Sequence, residues 1–123
     1  APEVHRCQPY GPSADVYSFG LLFWNIFSLK TPFGRGTTVE KHYKDAIVNH
    51  KRPAKLPFLP KSLHVMMSHC WSAQRERRPS FSIVCNIIKC ELEELQSKLA
   101  SDLSHHANNE VLNRTAHLEA KSV

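Results

Sequence analysis

Residues 15–29, DVYSFGLLFWNIFSL, constrain this chain more than any other stretch. Wound as a helix, they are apolar on nearly every side, and a helix of that kind has to be wrapped by protein on all faces. About fifteen residues fall short of the ~20 that a bilayer demands. The expectation is a central core helix, with Ser13 placed as its N-cap.

The rest of the chain reads as what surrounds such a helix. Residues 1–14 carry Pro9, Gly11 and Pro12 after Pro2 and few apolar side chains, so they read as loop. Lys30 to Thr37 read as a second loop with one Pro and two Gly. From Thr38 to about Asn49, Val39, Tyr43, Ala46 and Ile47 recur at helical spacing. Pro53, Pro57 and Pro60 then break regular structure. Residues 61–71 form a short helix with Leu63, Met66, Met67, Cys70 and Trp71 as its apolar set.

A charged loop ends at Pro79, and Ser80 opens a final helix that buries Phe81, Val84, Ile87 and Ile88. Its apolar stripe continues as Leu92, Leu95, Leu99 and Leu103, heptad-like but too brief to establish a coiled coil. Weak helix-mediated self-association is expected of it. Residues 104–123 are polar and without periodicity, and disorder is expected there. No strand is predicted, so the fold class is all-α. The predicted division is a domain over 1–95, followed by a helical extension and polar tail over 96–123.

Composition narrows the function classes. With 123 residues and 41% hydrophobic content, the chain suffices for one modest domain. It shows no Met start and no leader, so it reads as an internal piece of something longer. The charge of +5 gathers at Lys51, Arg52 and Lys55 and at Arg75, Arg77 and Arg78. Neither cluster is interleaved with stacking aromatics, so solvated basic faces are expected and no nucleic-acid partner. Four cysteines, Cys7, Cys70, Cys85 and Cys90, lack zinc-site spacing and read as reduced, mostly buried thiols. No metal site is expected among the scattered histidines.

Three motifs stand in a telling order. Ala1, Pro2 and Glu3 spell A-P-E. Ser13 to Gly20 spell SADVYSFG, followed by LLFWNIFSLKTPF. Cys70 and Trp71 are followed, after six residues, by RPSF from Arg78. A lone A-P-E carries no weight, but the three together resemble the C-terminal lobe of a protein kinase catalytic domain. The resemblance covers residues 1 to about 95. It is closest to the tyrosine-kinase-like group of serine/threonine kinases, and it implies an incomplete lobe running from the F to the I helix.

The resemblance implies roles for particular residues. Asp15 would accept hydrogen bonds from the backbone of the catalytic loop, where charge-assisted bonds are strong; as a bare sequence feature it is also a first-turn acid suited to the helix dipole. Glu3 would pair with Arg78, tying the end of the activation segment to the lower helices. Leu22 and Ile26, one turn apart, would support an apolar column beneath the adenine ring, or simply pack the core. Gly20, Trp71 and Pro79 complete the structural set. The 38–49 helix resembles the G helix, whose outer face, with His42 and Tyr43, either docks partners or is solvated. Asn25 stands where relatives of this type usually carry Glu, which removes one reason to expect basic substrates.

Other features have no such weight. His5, Arg6 and Cys7 spell H-R-C, with Cys where a catalytic base would stand. Gly34 to Thr38 lack the phosphate-loop pattern. The sequon at Asn113 has no meaning in a cytosolic tail.

The resemblance also implies what this chain does not supply. Phosphoryl transfer needs a glycine-rich lid, a Lys–Glu pair, a catalytic Asp and metal-holding Asn and Asp residues. None stands here, so no catalytic, cofactor-binding or metal-binding residue is assigned. The expectation is a parent protein that uses ATP and Mg to phosphorylate protein Ser or Thr, with this chain alone inactive and binding neither. The alternative is a pseudokinase or truncated scaffold module. Expected partners are a protein substrate and the N-lobe and catalytic loop of the same polypeptide. The expected location is the cytoplasm, or the cytoplasmic face of a membrane.

Overall fold

The computed structural model describes residues 1–119, with side chains described for 1–110 and 112. Helices α1 (Pro2–His5), α2 (Pro12–Ser28) and α3 (Val39–His42) come first. A π-helical segment (Tyr43–Val48), α4 (Lys61–Cys70), a 3₁₀ turn (Arg75–Arg77) and α5 (Phe81–Glu119) follow. No strand occurs among the described residues, and the fold is all-α, as expected.

Helix α2 begins earlier than its apolar run. Gly11 is the N-cap with extended backbone, and Pro12 takes the first helical position, where its missing N–H costs nothing. Ser13 is therefore inside the helix and not its cap. The same proline preference opens α1 at Pro2, so residues 1–14 are not simply a loop. At the other end Leu29 turns left-handed at φ 54°, and its N–H donates to the Asn25 carbonyl. The Asn25 side-chain amide donates to the Lys30 carbonyl at 2.6 Å, closing the helix end.

The chain divides into two units, Ala1–Ile88 and Lys89–Val123. In the first, α2 and α4 pack closely around Val16, Tyr17, Phe23, Trp24, Met66, Met67, Cys70 and Trp71, joined by Leu56, Leu63 and Val84. The apolar set expected of 61–71 is all buried. Gly20 allows the close approach: a Cβ there would stand 2.7 Å from Cβ of Cys70.

The proline-rich crossing between the π-helical segment and α4 is irregular yet pinned. Trp24 Nε1 donates to the Ala54 carbonyl at 2.7 Å. Arg52 donates to the carbonyls of Trp71, Ala46 and Lys51. Arg52 is thus a half-buried structural residue, whereas Lys51 and Lys55 are exposed as expected. A rigid guanidinium fork can satisfy several carbonyls at once, which lets a loop without ladder bonds hold one path.

Three further expectations change. The wrapping of α2 is one-sided, because Leu22, Ile26 and Leu29 on the face away from α4 are exposed. Of the thiols only Cys70 is buried, and burial pushes its pKa up to about 11; Cys7, Cys85 and Cys90 are exposed. Helix α5 does not stop near 104 but continues to Glu119. No Pro or Gly interrupts residues 81–119, so nothing in the backbone ends the helix. The remaining expected tail, 120–123, lies outside the described residues.

In the second unit the described part of α5 exposes Leu92, Leu95, Leu99 and Leu103. Lys98 and Glu94 form an i,i+4 pair on its surface at 2.9 Å.

Candidate functional site

The first unit is held at its two ends by one buried contact. Arg78 Nη1 donates to Glu3 Oε1 at 2.6 Å and Nη2 to Oε2 at 2.9 Å, a bidentate pair spanning 75 residues of sequence. The Arg78 side chain is fully buried and that of Glu3 is 7% exposed. Arg78 also donates Nε to the Ser72 carbonyl and Nη1 to the Ser13 carbonyl, both at 2.9 Å. Its guanidinium stands 5.0 Å from the Tyr17 ring centroid. Charge pairing and carbonyl acceptors together satisfy a cation that burial alone would expel. The Arg78 hydrogen bonds hold the Glu3 carboxyl below the usual carboxylate range, against the upward pull of burial.

Tyr17 fills the space beneath. Its ring also has the Arg52 guanidinium near it, 5.9 Å from the centroid. Burial raises its pKa, and its hydroxyl has no hydrogen-bond partner among the described residues.

The other sequence-derived residues fall into two groups. Pro2, Gly20 and Trp71 are buried, and Ala1 and Pro79 are partly so. Asp15, Leu22 and Ile26 are exposed on one face of α2, the face away from α4. Leu22 and Ile26, 54% and 57% exposed, therefore do not pack this core. Asp15 sits in the first turn of α2, where the helix dipole favours an acid.

Sequence reasoning missed a pairing on the other side of α1. His5 and His42 place Nε2 and Nδ1 3.0 Å apart, so His42 is half-buried and partnered instead of solvated. Phe33 meets the His42 ring edge-on at 5.1 Å, and the Tyr43 ring lies 5.8 Å from that of His5. Scattered histidines give no local signal of such a meeting. The outer surface of α3 and the π-helical segment exposes Val39, Tyr43 and Val48.

No group of three or more His, Cys, Asp or Glu side chains converges on a metal position among the described residues. None of their helices is long and apolar enough to cross a membrane. No glycine-rich lid, H-R-D or D-F-G motif stands in residues 1–123, so the residues that would hold Mg-ATP in the manner of a kinase do not lie in this segment.

Residues 1–88 match the model of the family described as protein tyrosine and serine/threonine kinase, and the chain belongs to that family. It is 32% identical over 117 residues to macrophage colony-stimulating factor 1 receptor 2 of Takifugu rubripes, covering 94% of this chain and 11% of that protein. It is 36% identical over 104 residues to dual specificity protein kinase pyk3 of Dictyostelium discoideum, covering 85% of this chain and 7% of that protein. Identity to the serine/threonine/tyrosine-protein kinase HT1 of Arabidopsis thaliana is 32% over 89 residues, 72% of this chain and 23% of that protein. The chain thus spans less than a quarter of each of these relatives.

Proposed function

We propose that this chain is the C-lobe portion of a protein kinase that transfers a phosphoryl group from Mg-ATP to Ser or Thr hydroxyls of a protein. The observation that carries the reading is the Glu3–Arg78 pair. It joins the A-P-E motif to the RPSF motif through a buried bidentate contact, so two motifs distant in sequence act as one structural unit. The exposed α2 face adds to it: Asp15 offers a carboxylate, and Leu22 and Ile26 an apolar support, to the catalytic half of the domain. The acceptor preference rests on the wording of the DVYSFG and RPSF motifs, which is closest to the tyrosine-kinase-like group; the relatives' own names include tyrosine, dual-specificity and serine/threonine/tyrosine kinases.

In this reading the segment supplies no atom to the reaction. It holds the end of the activation segment, supports the catalytic loop through Asp15, and presents Val39, Tyr43 and Val48 to substrates or regulators. Within a cell it works in the cytoplasm or on the cytoplasmic face of a membrane. Weak self-association runs through Leu92, Leu95, Leu99 and Leu103 of α5.

A second reading, a non-catalytic scaffold, rests on the same exposed surface of α3 and the π-helical segment. The experiment that separates them is a phosphotransfer assay on the protein made from the whole reading frame, followed by phosphoamino-acid analysis. Labelled phosphoserine or phosphothreonine is expected. Absence of transfer with intact folding supports the scaffold, and phosphotyrosine alone overturns the acceptor preference.

A further inference from the structure

The side-chain cluster with most unused chemistry lies where α1 meets α3. His5 closes α1 and His42 closes α3, so each ring comes from a helix end and the two meet across 37 residues of sequence. The rings stand 5.1 Å apart and 32° from parallel, half-buried against Phe33 and Tyr43.

Both imidazoles take up a proton less readily than a free imidazole. Burial is the first cause, lowering each below the ordinary value of 6.5. Facing charges add to it on His42, from His5 and Arg52. Two neutral rings can share one proton across the 3.0 Å gap. They can equally carry their protons on the far nitrogens, Nδ1 of His5 and Nε2 of His42, leaving two lone pairs turned toward each other.

That spacing suits a metal ion. Two nitrogens at ~2.0–2.1 Å from one ion stand about 2.8–3.0 Å apart at a right angle and about 3.3–3.4 Å apart at a tetrahedral angle. The observed 3.0 Å lies between these limits. We propose that His5 and His42 form a two-nitrogen site for a borderline divalent transition-metal ion of the Zn²⁺, Cu²⁺ or Ni²⁺ kind. The ion sits off the nitrogen–nitrogen line, with each metal–nitrogen vector about 40° from that line, so both rings turn to receive it and water completes its coordination. Bound there, it clamps α1 to α3. Arg52 opposes a cation, and the site is weaker than one with three or four protein ligands. The proposal does not use the kinase reading, and its two ligands, His5 and His42, have no role under it.

The test titrates Zn²⁺ into the 123-residue chain at pH 7.5, by calorimetry and thermal unfolding. The background carries His105→Gln and His106→Gln, which removes the adjacent pair on α5. One ion per chain and a raised melting temperature are expected, because an ion that binds only the folded state stabilises it. Both effects disappear in His5→Gln and in His42→Gln, and binding is about tenfold or more weaker at pH 5.5, where protons compete. Should either variant fail to fold, ¹⁵N-histidine spectra of the unsubstituted chain decide: the ring nitrogens of His5 and His42 respond first as Zn²⁺ is added. Binding unchanged by both substitutions overturns the site. So does binding lost on alkylating the exposed Cys7, Cys85 and Cys90, or a first response from other histidines.

Discussion

Gly20 of α2 and Cys70 of α4 approach so closely that a Cβ on Gly20 would stand 2.7 Å from the Cys70 Cβ. The two helices meet where one has no side chain and the other a small one. Cys70 is completely buried there, with the Trp71 backbone nitrogen next to it at 3.5 Å from the same point.

Gly20→Ala is therefore expected to destabilise the fold. Alanine is the better helix former by up to ~1 kcal/mol, but overpacking a well-filled contact costs ~1–3 kcal/mol and outweighs that gain. Denaturant unfolding measures the difference. The double variant with Cys70→Gly relieves the clash and should recover part of the loss attributable to overpacking. Neutral or higher stability in Gly20→Ala would mean that the helices are not so close.

Acid should weaken the fold in two stages. His5 and His42 have pKa values lowered by burial from 6.5, so their contribution is fully present above 6.5 and falls as pH drops toward their folded values. Glu3 is lowered from 4.5 mainly by Arg78, so its contribution is present above 4.5 and is lost as pH falls through its folded value. Urea midpoints at pH 8, 6, 5 and 4 are expected to begin falling below 6.5 and to fall more steeply below 4.5. The His5→Gln, His42→Gln double variant should lose the first stage only. A midpoint that stays flat from pH 8 to 5 contradicts it.

How far the sequence disclosed this structure depends on where each signal lies. The buried set of α4 was legible because periodicity and hydrophobicity agree there, and α2 was legible as a core helix but not by its buried face. The meeting of Glu3 with Arg78 was legible only through the family resemblance, since no local pattern links residues 75 apart. Pro12 misled because a proline that opens a helix looks, in isolation, like one that breaks a chain. The exposed face at Leu22 and Ile26 was not legible, because an apolar run does not say which side finds cover. The extension of α5 through 104–119 was hidden for the opposite reason: helix continues there without any apolar stripe. Arg52 looked like one more surface cation, and its three carbonyl acceptors come from backbone that only folding assembles.

Arg52→Met tests that last point. Methionine keeps much of the apolar stem but leaves the carbonyls of Trp71 and Ala46 without their donor. Charge-assisted bonds of this kind are worth ~1.5–3 kcal/mol, and a loss on that order is expected in chemical unfolding. Arg77→Met serves as the control, since Arg77 is exposed, and should change stability by less than ~0.5 kcal/mol. Equal effects from the two would show that Arg52 does not anchor the crossing.

Self-association through α5 predicts a separation between assembly and stability. Leu95 and Leu99 are 66% and 60% exposed, so Leu95→Lys with Leu99→Lys removes no core contact. Sedimentation should show a mass that rises with concentration for the unsubstituted chain and a constant mass for the variant. Unfolding midpoints at low concentration should coincide. Identical sedimentation of the two would exclude this stripe as the contact.

The central claim is that Glu3 and Arg78 are a buried pair holding the A-P-E and RPSF motifs in one structural unit. The direct measurement is denaturant unfolding of Glu3→Ala, Arg78→Ala and the double variant. Removing one partner strands the other in a site where Arg78 is fully buried and Glu3 nearly so, and the usual cost is ~3–5 kcal/mol. Each single variant should lose an amount of that order, and the double variant far less than their sum. Single losses below ~1 kcal/mol that simply add would be the behaviour of an exposed pair, and would contradict the account.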